Sequence, residues 1–552
     1  PHIYGMNFAS ADVAAAVRLP VRRWGGNSTS RYNWKLDVHN TGSDWFFENI
    51  PNAPGRIHSI INQDLNTGAK TILTMPLMGW TPKRRMENHP YDCGFRVSLY
   101  GPQDSVDPWD TDCGNGMQAG LPVTGNDSGD TSQAITPAFV TDWISSLTGT
   151  FGKASAGGVR FYSLDNEPML WNHTHRDVHP ASVTYDEIRD RTYAYASAIK
   201  AADAGALTLG PVAWGWCAYF FSAADGCAAG SDHAAHGGMD FAPWYLAQMR
   251  NYEQIHGFRI LDYLDLHIYP QVSGVFSDSL GNASVQAARL RSTRQLWDRT
   301  YVHEGWINQP VYLIPRMKAW VADHYPGTRL AITEYNWGAL GHMNGALAQA
   351  DILGIFGREG LDLATLWSPP DLGDPGTFAF RMYRNYDGFG NGFGDLSVFA
   401  GSSDQDKVSI YAAIRSRDRA LTAIFVNKTQ ERQVCPVALS NFEPAGPAQV
   451  FQYSGANPAA IDRLSDLATD PHGFEIELPA NAITLVVISP AIMSGCPADM
   501  EPDGDVDTDD LKVLAGGFGQ IGLEHDIDKD RDMDGRDLYE MVVDFGRMDC
   551  FP

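Results

Sequence analysis

Eight short apolar runs, spread over residues 2–370 with helical stretches between most of them, limit what this chain can fold into more than any other feature. They are HIYGMNF (2–8), LPVRRWGG (19–26), TILTMPLMGW (71–80), VRFYSLDNE (159–167), LTLGPVAW (207–214), LDYLDLHIY (261–269), RLAITEYNW (329–337) and LATLWSPP (363–370). Helical patterns such as 185–201 and 315–324 lie between them. Strands joined by helical crossovers pair in parallel and are buried on both faces, so they read as continuous apolar runs. Periodicity alone leaves a short apolar run open to a second reading, a buried helix segment. Eight strands in series close into a (β/α)8 TIM-like barrel, which carries its chemistry at the C-terminal strand ends.

Two of these runs end on a carboxyl group. The fourth ends at Glu167, between Asn166 and Pro168, and the seventh holds Glu334, followed by Tyr335 and Trp337. A lone glutamate is usually a solvated or ion-paired side chain. Two at strand ends of one barrel point to a pair that meets in space, and such a pair performs glycoside hydrolysis. One carboxyl must be protonated and the other ionised at the same pH, so their surroundings must differ. Glu167 is assigned as general acid/base and Glu334 as nucleophile. Trp24, Asn27, Trp80, Asn166, Trp171, Trp214, His267, Tyr269, Trp306, Trp337 and Trp367, with Arg22 or Arg23, sit at or just past strand ends and are candidate sugar contacts. Each tryptophan has a core reading beside the ligand-stacking one.

The chain then changes character. From 376 to 490 short β-rich pieces (VSIYAAIRS, LTAIFVNK, AQVFQYS, GFEIELP, AITLVVIS) follow one another with Gly, Pro and Asn between them. This predicts an antiparallel β-sandwich domain after a catalytic barrel over 1–375. The segment contains no Trp, so packing against the barrel is its expected role rather than sugar binding.

The net charge of −25 excludes the basic footprint that nucleic acid or an anionic membrane requires. No run of about 18 apolar residues is present, so no membrane-spanning helix is expected. Residues 496–552 alone carry 17 acidic and five basic side chains. Their spacing is regular. A twelve-residue calcium loop places oxygens at positions 1, 3, 5, 7, 9 and 12, with glycine at 6. Asp499, Glu501, Asp503, Asp505, Asp507 and Asp510 fit that register with Gly504 at six; Asp526, Asp528, Asp530, Asp532, Asp534 and Asp537 fit it with Arg531 at six. An apolar helix follows each. The third unit, 494–552, is therefore read as a duplicated calcium-loop and helix module, with an unstructured acidic tail as the rival. The grouping of the seven cysteines suggests three local disulfides, 93 with 113, 217 with 227 and 496 with 550, leaving Cys435 over; free buried thiols are the other reading, since connectivity does not follow from sequence. Local disulfides fit an oxidising, secreted setting.

The segments VRRWGGNSTSRYNW (21–34), DWFFENIP (44–51), SLDNEP (163–168), LDLHIYPQ (264–271), ITEYNWG (332–338) and MYRNYDGFG (382–390) together resemble glycoside hydrolase family 44. The resemblance covers about 1–490. It implies a retaining endo-β-1,4-glucanase acting on carboxymethylcellulose, xyloglucan or lichenan, with xylanase or mannanase side activity. It assigns the acid/base to Glu167 and the nucleophile to Glu334. A mainly xylan- or mannan-active enzyme of the same fold, or an inactive glycan-binding scaffold protein, are the alternatives. It also implies a structural calcium near loops such as Glu48 and DPWDTDCGNG (107–116), making Glu48, Asp107 and Asp112 candidate ligands beside a plain capping role. The chemistry itself needs no cofactor. The tail resembles a dockerin, which implies a cohesin partner on a scaffold; a self-contained calcium appendage is the other reading. A monomer is expected.

Overall fold

The computed structural model describes residues 2–491, 496–501, 503–520, 526–528, 532–547 and 550. The chain divides into two compact units, one of Pro1–Pro436, Gln449–Asp466 and Glu475–Val487, the other of Val437–Ala448, Leu467–Phe474 and Ile488–Pro552.

All eight apolar runs become strands of one closed parallel barrel: β1 (His2–Asn7), β2 (Val21–Trp24), β3 (Lys70–Met75), β4 (Phe161–Leu164), β5 (Leu207–Ala213), β6 (Tyr263–Leu266), β7 (Arg329–Tyr335) and β8 (Leu363–Leu366). Pairing of Gly5 with Thr365 on one side and Met6 with Arg22 on the other closes the ring. A helix follows each strand: α1 (Ala11–Ala16), α2 (Arg56–Thr67), α3 (Pro137–Phe151), α4 (Tyr185–Ala202), α5 (Phe241–His256), α6 (Leu313–His324), α7 (Met343–Arg358) and α8 (Pro375–Arg384).

The barrel interior is layered by the alternation of side chains along each strand. Val21, Ile72, Phe161, Leu209, Tyr263, Ala331 and Leu363, one from each of β2 to β8, form a buried apolar cluster separate from the larger core. β1 contributes Gly5, where a β-carbon would lie 2.5 Å from Val21 Cγ1 and 2.6 Å from the Ala364 carbonyl oxygen. Two residues further along come Asn7, Arg23, Thr74, Ser163, Asp265, Thr333 and Thr365, all buried and polar. An apolar floor thus supports a polar layer, and the polar layer faces the strand ends where the carboxyls sit.

A bulge alters this alternation at the decisive place. Ile332 lies opposite Ala364, but Tyr335 lies opposite Leu366, so β7 spends one residue more than β8 over that interval. An extra residue flips the side-chain phase. Thr333 and Glu334 consequently both serve the inner side, while Tyr335 turns outward, its ring edge-on to Phe356 and its hydroxyl accepting from Gln349 Nε2 at 2.9 Å.

The β-rich region forms a six-stranded sheet of β9 (Leu396–Val398), β10 (Val408–Ile414), β11 (Leu421–Asn427), β12 (Gln449–Ser454), β13 (Asp462–Arg463) and β14 (Ala482–Ile488), in the order β9-β10-β11-β14-β12-β13. Antiparallel ladders join β9 to β10, β10 to β11, β12 to β13 and β12 to β14. It packs on the barrel through α7, which is buried from Gly345 to Phe356. Gly354 is needed there, because a β-carbon would meet the Tyr411 ring at 2.1 Å. Asp351 of α7 accepts from Tyr411 Oη at 2.7 Å and Lys428 Nζ at 2.8 Å, all three side chains being buried. Phe378 of α8 stacks on Tyr453 at 4.6 Å.

In the second unit α9 (Thr508–Gly517) and α10 (Gly535–Asp544) carry a small core of Ala498, Met500, Val506, Leu514, Met533 and Met541 beside the Cys496–Cys550 disulfide. The other expected disulfides, Cys93–Cys113 and Cys217–Cys227, are present, and Cys435 is a half-buried free thiol. No described helix is long and apolar enough to cross a membrane.

Candidate active site

Glu167 and Glu334 meet at the barrel mouth. One oxygen of each and a ring nitrogen of His267 lie within 4.8 Å of one another. Glu167 comes just past β4, where Asp165 (φ 70°) and Glu167 (φ 45°) both adopt left-handed backbone. That conformation is unfavourable for residues with a β-carbon and persists where surroundings over-determine it. Here they do: the Asp165 carboxylate accepts from the backbone N–H groups of Leu77 and Asn166, and Glu167 N–H donates to the Val212 carbonyl.

The two carboxyls have unlike surroundings. Glu334 Oε1 accepts from Arg23 Nη1 at 2.7 Å and Oε2 from the Tyr269 hydroxyl at 3.0 Å. Arg23 is fully buried and also donates to Asn7 Oδ1 and Asn166 Oδ1. The guanidinium therefore cannot swing away, and Glu334 is presented with fixed donors. It also places a positive charge where a metal ion would compete for Glu334. Glu167, with only 13 % of its side chain exposed, is pushed up to about 7, chiefly by burial, with Arg23 opposing and Asp44 adding to the rise. Among the described residues, its close partner is His267 Nδ1, at 2.9 Å from Oε1.

The hydrogen-bond chain behind His267 fixes its tautomer. Asp265 Oδ2 accepts from the Thr333 hydroxyl at 2.7 Å, so Thr333 Oγ1 is left as acceptor for His267 Nε2–H at 3.1 Å. Nδ1 then bears the lone pair and accepts from a protonated Glu167. Burial lowers the His267 pKa, which keeps the ring neutral for this role.

Several other expected contacts also gather here. Asn166 Nδ2 donates to Asn27 Oδ1 at 3.0 Å, and Asn27 donates onward to Asp44. Trp214, Trp306, Tyr269 and Gln271 line a hollow beside Glu334, with the Trp306 indole, 54 % exposed, donating to Gln271 Oε1. Trp367 is half-buried beside Gly26 and edge-on to Phe8, and Trp80 is half-buried against the core. Three expectations are corrected. Trp24, Trp171 and Trp337 are buried core rings and offer no face to a ligand. Trp24 packs edge-on to Tyr32 and Trp143, Trp171 lies under Arg191, and Trp337 donates to Ser292 Oγ. Of the two arginines, Arg22 points out of the barrel to Asp64. Asn7, Asp265 and Thr333 escaped the sequence reading; their signal was the two-residue step from the apolar floor.

Glu48 Oε1 and Asp107 Oδ2 are buried with no donor among the described residues. Burial, then the charges of Asp107 and Asp110, push Glu48 up to about 8. A divalent cation there would relieve both costs, so the donor set fits calcium. Asp112 is a correction: it accepts from Ser98 N–H and Oγ, and the third acid facing the cluster is Asp110.

In the tail both loops close alike. Asp510 accepts from Met500 N–H and Asp507 N–H, and Asp537 accepts from Ile527 N–H and Asp534 N–H. Asp507 and Asp534 cap α9 and α10. Carboxylates of Asp505, Asp507 and Asp510, and of Asp526, Asp528 and Asp537, converge within 4.8 Å. Asp505 Oδ1 is buried without a donor among the described residues, as a ligand oxygen would be. Asp530 lies outside the described residues.

A proton donor and an anionic oxygen this close can act on both sides of an acetal carbon, and that defines the class: a glycoside hydrolase. Comparison with known proteins narrows it. The sequence model of glycoside hydrolase family 44 matches residues 38–272. CelM2, a bifunctional glucanase-xylanase protein from a metagenome library, is 43 % identical in its crystal structure, with a TM-score of 0.86 over 89 % of this chain and 96 % of that one. A Paenibacillus polymyxa xyloglucanase of the same family, solved with xyloglucan, is 29 % identical with a TM-score of 0.74 over the same shares. Endoglucanase A of Paenibacillus lautus is 32 % identical over 453 residues, 78 % of this chain and 61 % of that protein. The chain belongs to glycoside hydrolase family 44. It spans 61 % and 35 % of the length of the two curated relatives it matches.

Proposed function

We propose that this protein is an endo-acting hydrolase of β-1,4-linked glucans, cleaving with retention of configuration through Glu334 as nucleophile and Glu167 as acid/base. The observation that carries it is the pair itself: unlike carboxyls whose nearest oxygens lie within 4.8 Å. Retaining enzymes hold their carboxyls about 5–5.5 Å apart, and inverting enzymes about 6.5–9.5 Å, to admit a water. In the first step Glu334 attacks the anomeric carbon while Glu167 passes its proton to the departing oxygen. In the second, Glu167, now anionic, takes a proton from water, which attacks the same carbon and releases Glu334. Asn166, which accepts from Arg23 beside Glu167, would bond the sugar 2-hydroxyl.

Soluble and decorated glucans, namely carboxymethylcellulose, xyloglucan and lichenan, are the proposed substrates. The relatives named for glucanase, xylanase and xyloglucanase activity support this class. Xylan is the second reading, since its backbone has the same linkage and lacks only the C6 hydroxymethyl group; mannan is a third. Assays on these polymers beside Glu167→Gln and Glu334→Gln test the assignment, and full activity in either variant would overturn it. NMR of the first product should show the β anomer; an α product at early time means inversion.

Calcium is proposed as a structural ion at Glu48, Asp107 and Asp110 and in the tail loops. The disulfides support a secreted protein. The paired loop-helix repeats support a dockerin-like module for a cohesin, and titration of the full chain with a cohesin panel would test it.

A further inference from the structure

The catalytic layer leaves two tryptophans unexplained. Trp45 is 39 % exposed and Trp109 is 68 % exposed, although indoles are usually covered. They come from different loops, after β2 and after β3, yet their ring centroids lie 5.8 Å apart with planes 38° from parallel. We propose that Trp45 and Trp109 form an aromatic platform that binds the pyranose rings of the polysaccharide chain beyond the reacting sugars; this rests on the glycan-hydrolase reading above.

Both rings are positioned rather than loose. Phe46 (φ 48°) and Phe47 (φ 56°) take left-handed backbone one after the other, burying Phe47 and turning Trp45 outward. The Trp45 carbonyl accepts from the Thr41 hydroxyl and from Glu48 N–H. On the other loop the buried Asp107 carboxylate accepts from Trp109 N–H at 2.6 Å and Asp110 N–H at 2.9 Å, and the Cys93–Cys113 disulfide closes the segment. Glu48 and Asp107, whose orphaned oxygens were noted above, stand three residues after Trp45 and two before Trp109. A buried acid of each loop thus faces the other, close in sequence to its ring, and the loops are tied by strand pairing of Glu48 with Cys93.

The platform is continuous with the catalytic centre. Asp44, next to Trp45, accepts from Asn27, which accepts from Asn166 beside Glu167. The hollow of Trp214 and Trp306 is built instead from the segments after β5 and β6. Apolar ring faces that stay in water at the end of a sugar-binding line suit the C–H faces of β-linked pyranoses, which stack on indoles without directional hydrogen bonds.

The test uses the full chain and its variants Trp45→Ala, Trp109→Ala, the double variant and Trp109→Phe. KM is measured on xyloglucan and xylan and on an aryl β-cellobioside, too short to span the site. Retardation in gels containing each polymer is measured in a Glu334→Gln background. The double variant should raise polymer KM roughly tenfold, the size of one good ring contact, and abolish retardation. The KM for the aryl cellobioside should move less than about twofold, below the roughly 0.5 kcal/mol of one aromatic contact, and Trp109→Phe should restore part of the polymer affinity. Unchanged polymer KM and retardation would overturn the platform, as would an equal loss on long and short substrates with a lowered melting temperature. A wild-type chain that hydrolyses none of these substrates would sink the enzymatic reading instead, and gel retardation would still report on the platform.

Discussion

At the scale of single residues, the site works by denying Glu167 the partners that Glu334 receives. Glu334 meets Arg23 and Tyr269; Glu167 meets a neutral imidazole in a buried position. Because Glu167 is raised to about 7, it is protonated and able to donate below that pH and loses its proton as pH rises through it. The rate should therefore fall on the alkaline side of about 7, as a pH profile of kcat/KM would show. Thr333→Val tests the chain behind His267. Without the hydroxyl, Nε2 loses its acceptor, the proton can move to Nδ1, and Nδ1–H then favours anionic Glu167. The alkaline limb should shift to lower pH; an unmoved limb in the folded variant would show that the tautomer does not matter. The sequence placed both glutamates, His267 and Tyr269 correctly at the strand ends. It could not tell core rings from exposed ones, because Trp24, Trp171 and Trp337 differ from Trp306 only in what packs over them.

At the scale of elements, the decisive feature is the bulge in β7. Strict alternation from Ala331 would put Thr333 inside and Glu334 outside, against the helices. The extra residue between Ile332 and Tyr335 brings both to the inner side. No residue type in LAITEYNW announces a bulge, since it is set by the register with β8. The loops carry a second element-scale prediction. If Glu48, Asp107 and Asp110 hold a divalent ion, Glu48→Gln and chelation should each lower the melting temperature, and the two losses should not add. Equal melting curves with and without chelator would remove that ion from the account. The seam between α7 and the six-stranded sheet holds another. Lys428→Ala strands Asp351 as a buried charge, and breaking one partner of such a pair costs about 3–5 kcal/mol. Denaturant unfolding of the variant should show a loss of that order; a loss below about 1 kcal/mol, the range of surface pairs, would mean that water reaches Asp351.

At the scale of the whole molecule, covalent closure of the C-terminal segment adds to what packing supplies. The Cys496–Cys550 bond spans 54 residues. Chain entropy assigns such a loop roughly 4 kcal/mol. If the tail loops hold calcium, Cys550→Ser in the full chain should weaken its binding measured by calorimetry, since the loops then fold only as the ion binds; unchanged affinity would show that the loops are formed without the bond. The sequence by itself pointed to the barrel and the chain order of its eight strands, and grouped six cysteines as the three pairs that the structure joins. Each of these rests on local pattern: apolar run length, turn residues, and cysteines close together in the chain. Tertiary structure alone decided the close approach of Glu167 to Glu334, the neutral state of His267, the burial of three tryptophans and the meeting of Trp45 with Trp109. Those depend on distance between residues far apart in the chain and on the removal of water around them, and neither quantity is a function of local sequence.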